Sequence, residues 1–209
     1  GINLKSKNNL DNDISYNKKL NTEYKILKDW NNLNNLVNYF NNDTILDWLN
    51  LYGKKMYLKD KKSISQIFIE NKSQEFKKHV IKFIKERFPD QYIEITNQPD
   101  NYVKSNNYYS KTIENIGKYP IIINGILHNY NYKIYSKVDL IISKEYYYLL
   151  SGKKLTNSDY IIIKIEYNSL KFLKNEINVS SNIFLKNYMF ILQDVLKENN
   201  INSIGGVLG

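Results

Sequence analysis

The chain has 209 residues and no cysteine, which gives length for one domain with a full hydrophobic core and excludes both a disulfide framework and a thiolate metal site. Hydrophobic residues make up 42% of it, and no run approaches the roughly 20 apolar residues of a membrane helix or the core of a signal peptide, so a soluble intracellular protein with no membrane partner is expected. The formal charge of +9 admits a polyanionic partner.

Residues 1–42 are rich in Asn and Lys, and the first twenty read as a draped arm. From Tyr24 to Tyr39 the residues Ile26, Leu27, Trp30, Leu33 and Leu36 recur at three- and four-residue spacing, which predicts a helix. Asp43 or Thr44 is placed to cap a short helix carrying Ile45, Leu46, Trp48 and Leu49, ended by Gly53. Ser63 to Arg87 reads as a long amphipathic helix with Ile64, Ile67, Phe68, Phe76, Val80, Phe83 and Ile84 on one side, and Pro89 stops it. A short strand, Tyr92 to Ile95, follows. Asn97 to Tyr109 reads as a polar loop, and Lys111 to Ile116 as a short helix ended by Gly117.

Three β-rich runs come next: Ile121 to Leu127, Lys133 to Ser143 and Tyr160 to Tyr167, the first two joined by a polar turn at His128 to Asn131. Glu145 to Leu150 reads as one helical turn, followed by a loop from Ser151 to Asp159. A last helix, Asn182 to Lys197, buries Phe184, Tyr188, Ile191 and Val195, and Ile204 to Leu208 forms a final strand. The sequence stops directly after that strand with no closing element, which suggests a truncated piece. The order helix, hairpin and third strand, helix, strand predicts an α/β domain over 43–209: a mixed central sheet flanked by helices, preceded by a helical or irregular arm over 1–42.

The stretch Pro120 to Ser143, "PIIINGILHNYNYKIYSKVDLIIS", resembles a RecB-like branch of the PD-(D/E)xK nuclease superfamily, found among other places in large DNA viruses. The family's "G-[VI]-L-x-N" hairpin corresponds to Gly125-Ile126-Leu127-His128-Asn129, and its "D-L-L-[VI]-R-S" strand to Asp139-Leu140-Ile141-Ile142-Ser143. "YIIIKIEYNSLKF", Tyr160 to Phe172, resembles the family's next strand, and Phe184-Leu185-Lys186 its last helix. Leu46-Asp47-Trp48-Leu49 with Tyr52-Gly53 resembles an N-terminal "L-D-W-L-x-x-Y-G" element.

The resemblance implies a restriction-endonuclease-like core, a DNA partner and, where the site is active, Mg²⁺. In such a site an Asp and a second carboxylate on the next strand hold the metal, which activates water and stabilises charge on the phosphorus. A Lys two residues beyond the second carboxylate shares its strand face. Asp139 matches the first carboxylate, but Lys164 stands at the second carboxylate position and Glu166 at the lysine position. The family's helix Glu falls on Lys77, and Tyr188 replaces its Gln. Two readings follow. In a permuted site Asp139 and Glu166 hold the metal and Lys164 assists. In a decayed site Lys164 and Glu166 form an internal salt bridge with Asp139.

The Lys-rich helix face, with Lys72, Lys77, Lys78, Lys82 and Lys85, either tracks a phosphate backbone, with Lys77, Lys78 and Lys82 as the DNA contacts, or is a solvated surface. Alanine is absent and Arg87 is the single arginine, so A/T-biased codon usage accounts for much of the lysine. His79 and His128 read as exposed, and Tyr146-Tyr147-Tyr148 as packing rather than base stacking. Three functions stay open: a DNA-handling nuclease fold with weak or lost cleavage in a virus-like replication context, a working metal-dependent nuclease, and a protein-interaction module.

Overall fold

A computed structural model describes residues 30–40, 42–43, 45–46, 48–49, 61–95, 105–167 and 183–208. Along the chain come β1 (Asn31–Asn32), a 3-10 turn (Leu33–Leu36), α1 (Val37–Phe40), α2 (Ile64–Arg87), β2 (Tyr92–Glu94), α3 (Ser105–Asn115), β3 (Ile121–Asn129), β4 (Ile134–Ser143), α4 (Lys144–Ser151), β5 (Tyr160–Ile165), α5 (Ile183–Glu198) and β6 (Ser203–Leu208). The strands form one mixed six-stranded sheet in the order β2-β3-β4-β5-β6. The β3–β4 and β4–β5 pairs are antiparallel, while β2–β3 and β5–β6 are parallel. β5 reaches only the second half of β4, and β1 pairs in parallel with Ile134 and Tyr135 in the first half.

The isoleucine-rich runs are continuous rather than alternating because helices cover both faces of the sheet. On one face Ile121, Ile123, Leu140, Ile142, Ile161 and Ile163 pack with Ile84 and Phe88 at the end of α2 and beneath Tyr146, Tyr147 and Leu150 of α4. On the other, Ile122, Leu127, Val138, Ile141 and Ile162 pack with Tyr188, Met189, Leu192, Val195 and Leu196 of α5, joined by Tyr108, Tyr109 and Ile113 of α3. A Cβ on Gly205 of β6 would lie 2.5 Å from Met189 Cβ, so this glycine lets α5 approach the strand.

Ser63 starts α2 with a capping box: its hydroxyl accepts from Gln66 N, and the Gln66 side chain accepts from Ser63 N. Within α2 only Ile84 is fully buried, and Ile64, Ile67, Phe68 and Phe83 are exposed, so the helix meets the sheet along its C-terminal half.

Four expectations are corrected. The helix expected from Tyr24 to Tyr39 is instead, over its described part, a strand, a 3-10 turn and a four-residue helix. Pairing to the free half of β4 (Asn31 N to Lys133 O, 2.9 Å) and capping of the turn by Asn32 override helical spacing there. α3 begins at Ser105, inside the expected loop, because Tyr108 and Tyr109 bury against the core. The β3–β4 turn falls at 130–133 and not at His128 to Asn131, since β3 runs on through Asn129. His128 is consequently fully buried, not exposed. Ile45, Leu46, Trp48 and Leu49 are helical as expected, while the expected features of residues 1–29 and the terminator Gly53 lie outside the described residues.

Candidate functional site

The two central strands change face at one shared point. Ile123 and Leu140 pack toward α2, whereas Leu127 and Val138 pack toward α5, which strict two-residue alternation forbids. The pairs Ile123↔Leu140 and Gly125↔Val138 keep the register on either side, so Asn124 and Asp139 stand opposite each other at the slip. Asn124 has φ 55°, a left-handed backbone that Asn tolerates better than most residues. The slip brings the side chains of Asn124 and Asp139 to the α2 side.

Both oxygens of Asp139 are engaged. Oδ1 forms an ion pair with the Lys77 ammonium of α2. Oδ2 accepts a hydrogen bond from Ile165 N at 2.8 Å, just beyond the last paired residues of β4 and β5, Leu140↔Ile163. Nearby, Lys164 Nζ lies 3.1 Å from Glu166 Oε1 and 4.6 Å above the Tyr188 ring. Tyr188 is buried, donates to Lys137 O at 2.8 Å and takes a bond from Ser136 Oγ at 3.0 Å. Burial, reinforced by the Asp139 carboxylate, raises its phenol well above the ordinary value, so it stays protonated.

A second lysine of α2 makes a parallel contact: Lys85 Nζ lies 2.6 Å from Glu94 Oε2 of β2. Glu94 Oε1 accepts from Asn124 Nδ2 at 2.8 Å. Asn124 Oδ1 is buried and has no hydrogen-bond partner among the described residues. Glu94, Asn124 and Asp139 thus run side by side across β2, β3 and β4, with an ammonium of α2 on each of the two carboxylates.

These groups line one open cleft of about 980 Å³ between α2 and the sheet. Its described lining contains Lys77, Lys78, Lys82, Lys85, Lys137 and Lys164 against Glu86, Glu94, Asp139 and Glu166. Every site residue expected from the sequence, Asp139, Lys164, Glu166, Lys77, Lys78 and Lys82, therefore reaches the same cleft. Two assignments change. Lys77 is held by Asp139 and is not a free contact on the helix surface. Lys164 pairs with Glu166, and it is Lys77, not Lys164, whose ammonium sits on Asp139. Glu94, Asn124 and Lys137 were missed. The polar Asn124 within an isoleucine run was the readable signal.

Among the described residues no three His, Cys, Asp or Glu side chains converge as a metal site, and ammonium groups stand at two positions that the resemblance reserves for carboxylates.

Near the end of β3, His128 forms the centre of an aromatic group. Its ring stacks on Tyr109 at 4.7 Å and tilts against Trp30 at 5.1 Å. Neither ring nitrogen has a partner among the described residues, and burial pushes its pKa down to about 4. No helix among the described residues is long and apolar enough to cross a membrane. No protein-family model, curated protein or solved structure matches the chain.

Proposed function

We propose that this is a nuclease-fold protein of the PD-(D/E)xK type that holds DNA in the lysine-lined cleft and cuts it weakly or not at all. The observation that carries this reading is the Lys77 ammonium seated on Asp139. An ammonium neutralises the carboxylate but offers no open coordination position, so it neither activates a water nor polarises a phosphoryl oxygen as a divalent ion does. The element order supports the fold assignment: α2, the three antiparallel strands β3 to β5, α5 and a parallel β6 repeat the succession on which the resemblance rests. The cleft supports the partner, since among the described residues its six lysines outnumber its four carboxylates. Its described lining has no arginine and one aromatic, the buried Tyr188, which favours contact with the phosphate backbone over base reading.

Titration of a labelled DNA duplex against salt tests the binding. Affinity should fall steeply as salt rises, and Lys78→Glu with Lys82→Glu should weaken binding and reduce the log–log slope by about 2, because two fewer counterions are released. Undetectable binding at low salt, or binding that ignores salt, would favour a protein-interaction module instead. The active, permuted site is the second reading. It is favoured by Glu166, which reaches the same cleft as Asp139 with Lys164 beside it.

A further inference from the structure

Strand alternation carries the cleft side of the sheet on toward the β3–β4 turn. Lys137 and Asn32 line the cleft, and two residues before each stand Tyr135 and Trp30. Tyr135 pairs with both His128 and Asn32, while Ile134 and Val138 pack toward α5 on the opposite face. The Trp30 ring, 5.1 Å from His128, lies on the cleft side as well. The aromatic group around His128 therefore begins one two-residue step, about 7 Å, beyond Lys137 along β4.

Tyr130 is the most exposed ring of that group, at 54%, with its centroid 4.9 Å from Trp30, 6.0 Å from Tyr109 and 6.1 Å from His128. It stands at 85°, 65° and 64° to those rings, so none of them lies flat upon it, whereas Tyr109 lies on His128 at 4°. Tyr130 thus keeps an open ring face on a packed aromatic base, close to the lysines. A phosphate backbone held by ammonium groups carries a base at every step, and an unpaired base gains by stacking on such a face whatever its identity. The bases of a duplex are already stacked on one another and offer no free face. We propose that Tyr130 is a stacking site for one unpaired base of a DNA strand whose phosphates lie along the cleft, with Trp30, Tyr109 and His128 backing the ring. This rests on the nucleic-acid reading of the cleft and names the form of DNA it takes.

The test compares two labelled single strands of equal length by fluorescence anisotropy at fixed low salt: a thymidine strand, and a strand of abasic sites with the same phosphates. The unaltered protein should bind the thymidine strand about tenfold more tightly, within the range of one base–aromatic stack. Tyr130→Leu, which keeps an apolar side chain against Trp30, should bring this ratio to near one without changing the salt slope, because no phosphate contact is lost. Tyr130→Phe, which keeps the ring, should retain the ratio. Equal binding of the two strands by the unaltered protein overturns the inference and leaves the nucleic-acid reading standing, and this comparison needs no variant. A preference that survives in Tyr130→Leu also overturns it, since the base then stacks elsewhere. So does loss of the preference in Tyr130→Phe, which would assign it to a hydroxyl contact. If neither strand nor a duplex binds at low salt, the nucleic-acid reading fails and this inference fails with it.

Discussion

Lys77 of α2 and Asp139 of β4, 62 residues apart in the chain, form an ion pair on the cleft side of the sheet, with the second Asp139 oxygen bonded to the backbone of β5. One carboxylate thereby ties a helix to two strands. The side chains are 26% and 11% exposed, so the pair is shielded well beyond a surface salt bridge but not fully dry.

Removing one partner should therefore cost more than removing both. Lys77→Met leaves an uncompensated carboxylate and should lower stability by roughly 2–4 kcal/mol in urea unfolding. Adding Asp139→Asn, which keeps an acceptor for Ile165 N, should recover at least half of that loss. Equal stability of Lys77→Met and the unaltered protein would show that the pair contributes nothing to the fold.

Cleavage is the second measurable consequence. The unaltered protein should leave supercoiled plasmid intact with Mg²⁺ or Mn²⁺. The triple variant Lys77→Glu, Lys164→Asp, Glu166→Lys restores carboxylates at the positions the resemblance assigns to them, and should bind Mn²⁺ measurably more tightly in calorimetry. Robust cutting by the unaltered protein, abolished in Asp139→Ala and in Glu166→Ala, would establish the permuted site and refute the proposal of lost catalysis.

The buried His128 makes stability depend on pH. Its folded pKa of about 4 lies below the ordinary 6.5, so the folded state holds the neutral ring and the unfolded chain takes up the proton first. The contribution is fully present above pH 6.5 and is lost as pH falls toward 4. Between pH 7 and pH 5 the loss amounts to about 2 kcal/mol by linkage. Carboxylates titrate near the bottom of this window too, so the comparison is with His128→Phe, which keeps an aromatic ring against Tyr109. In urea unfolding that variant should lose about 2 kcal/mol less than the unaltered protein over the same interval. Parallel pH profiles would rule out the histidine as the cause.

The sheet and its two main helices were legible in the sequence because each is signalled within a few neighbouring residues. The isoleucine runs, the apolar spacing from Ser63 to Arg87 and the stop at Pro89 all act locally. Lys164 and Glu166 share a face by strand period alone, and their 3.1 Å contact needs only that short range. Which charge meets which across the cleft was decided by tertiary structure. Lys77 meets Asp139 only once α2 lies over β4, and Glu94 enters the site only because β2 pairs beside β3. The slip at Asn124 and Asp139 lay beyond a two-residue period, since one left-handed residue reverses which side of the sheet every later side chain faces. His128 shows the same limit. A polar residue near a turn was expected at the surface, but α3 and Trp30 cover it, and burial against segments distant in sequence is a property of the packed chain rather than of its local pattern.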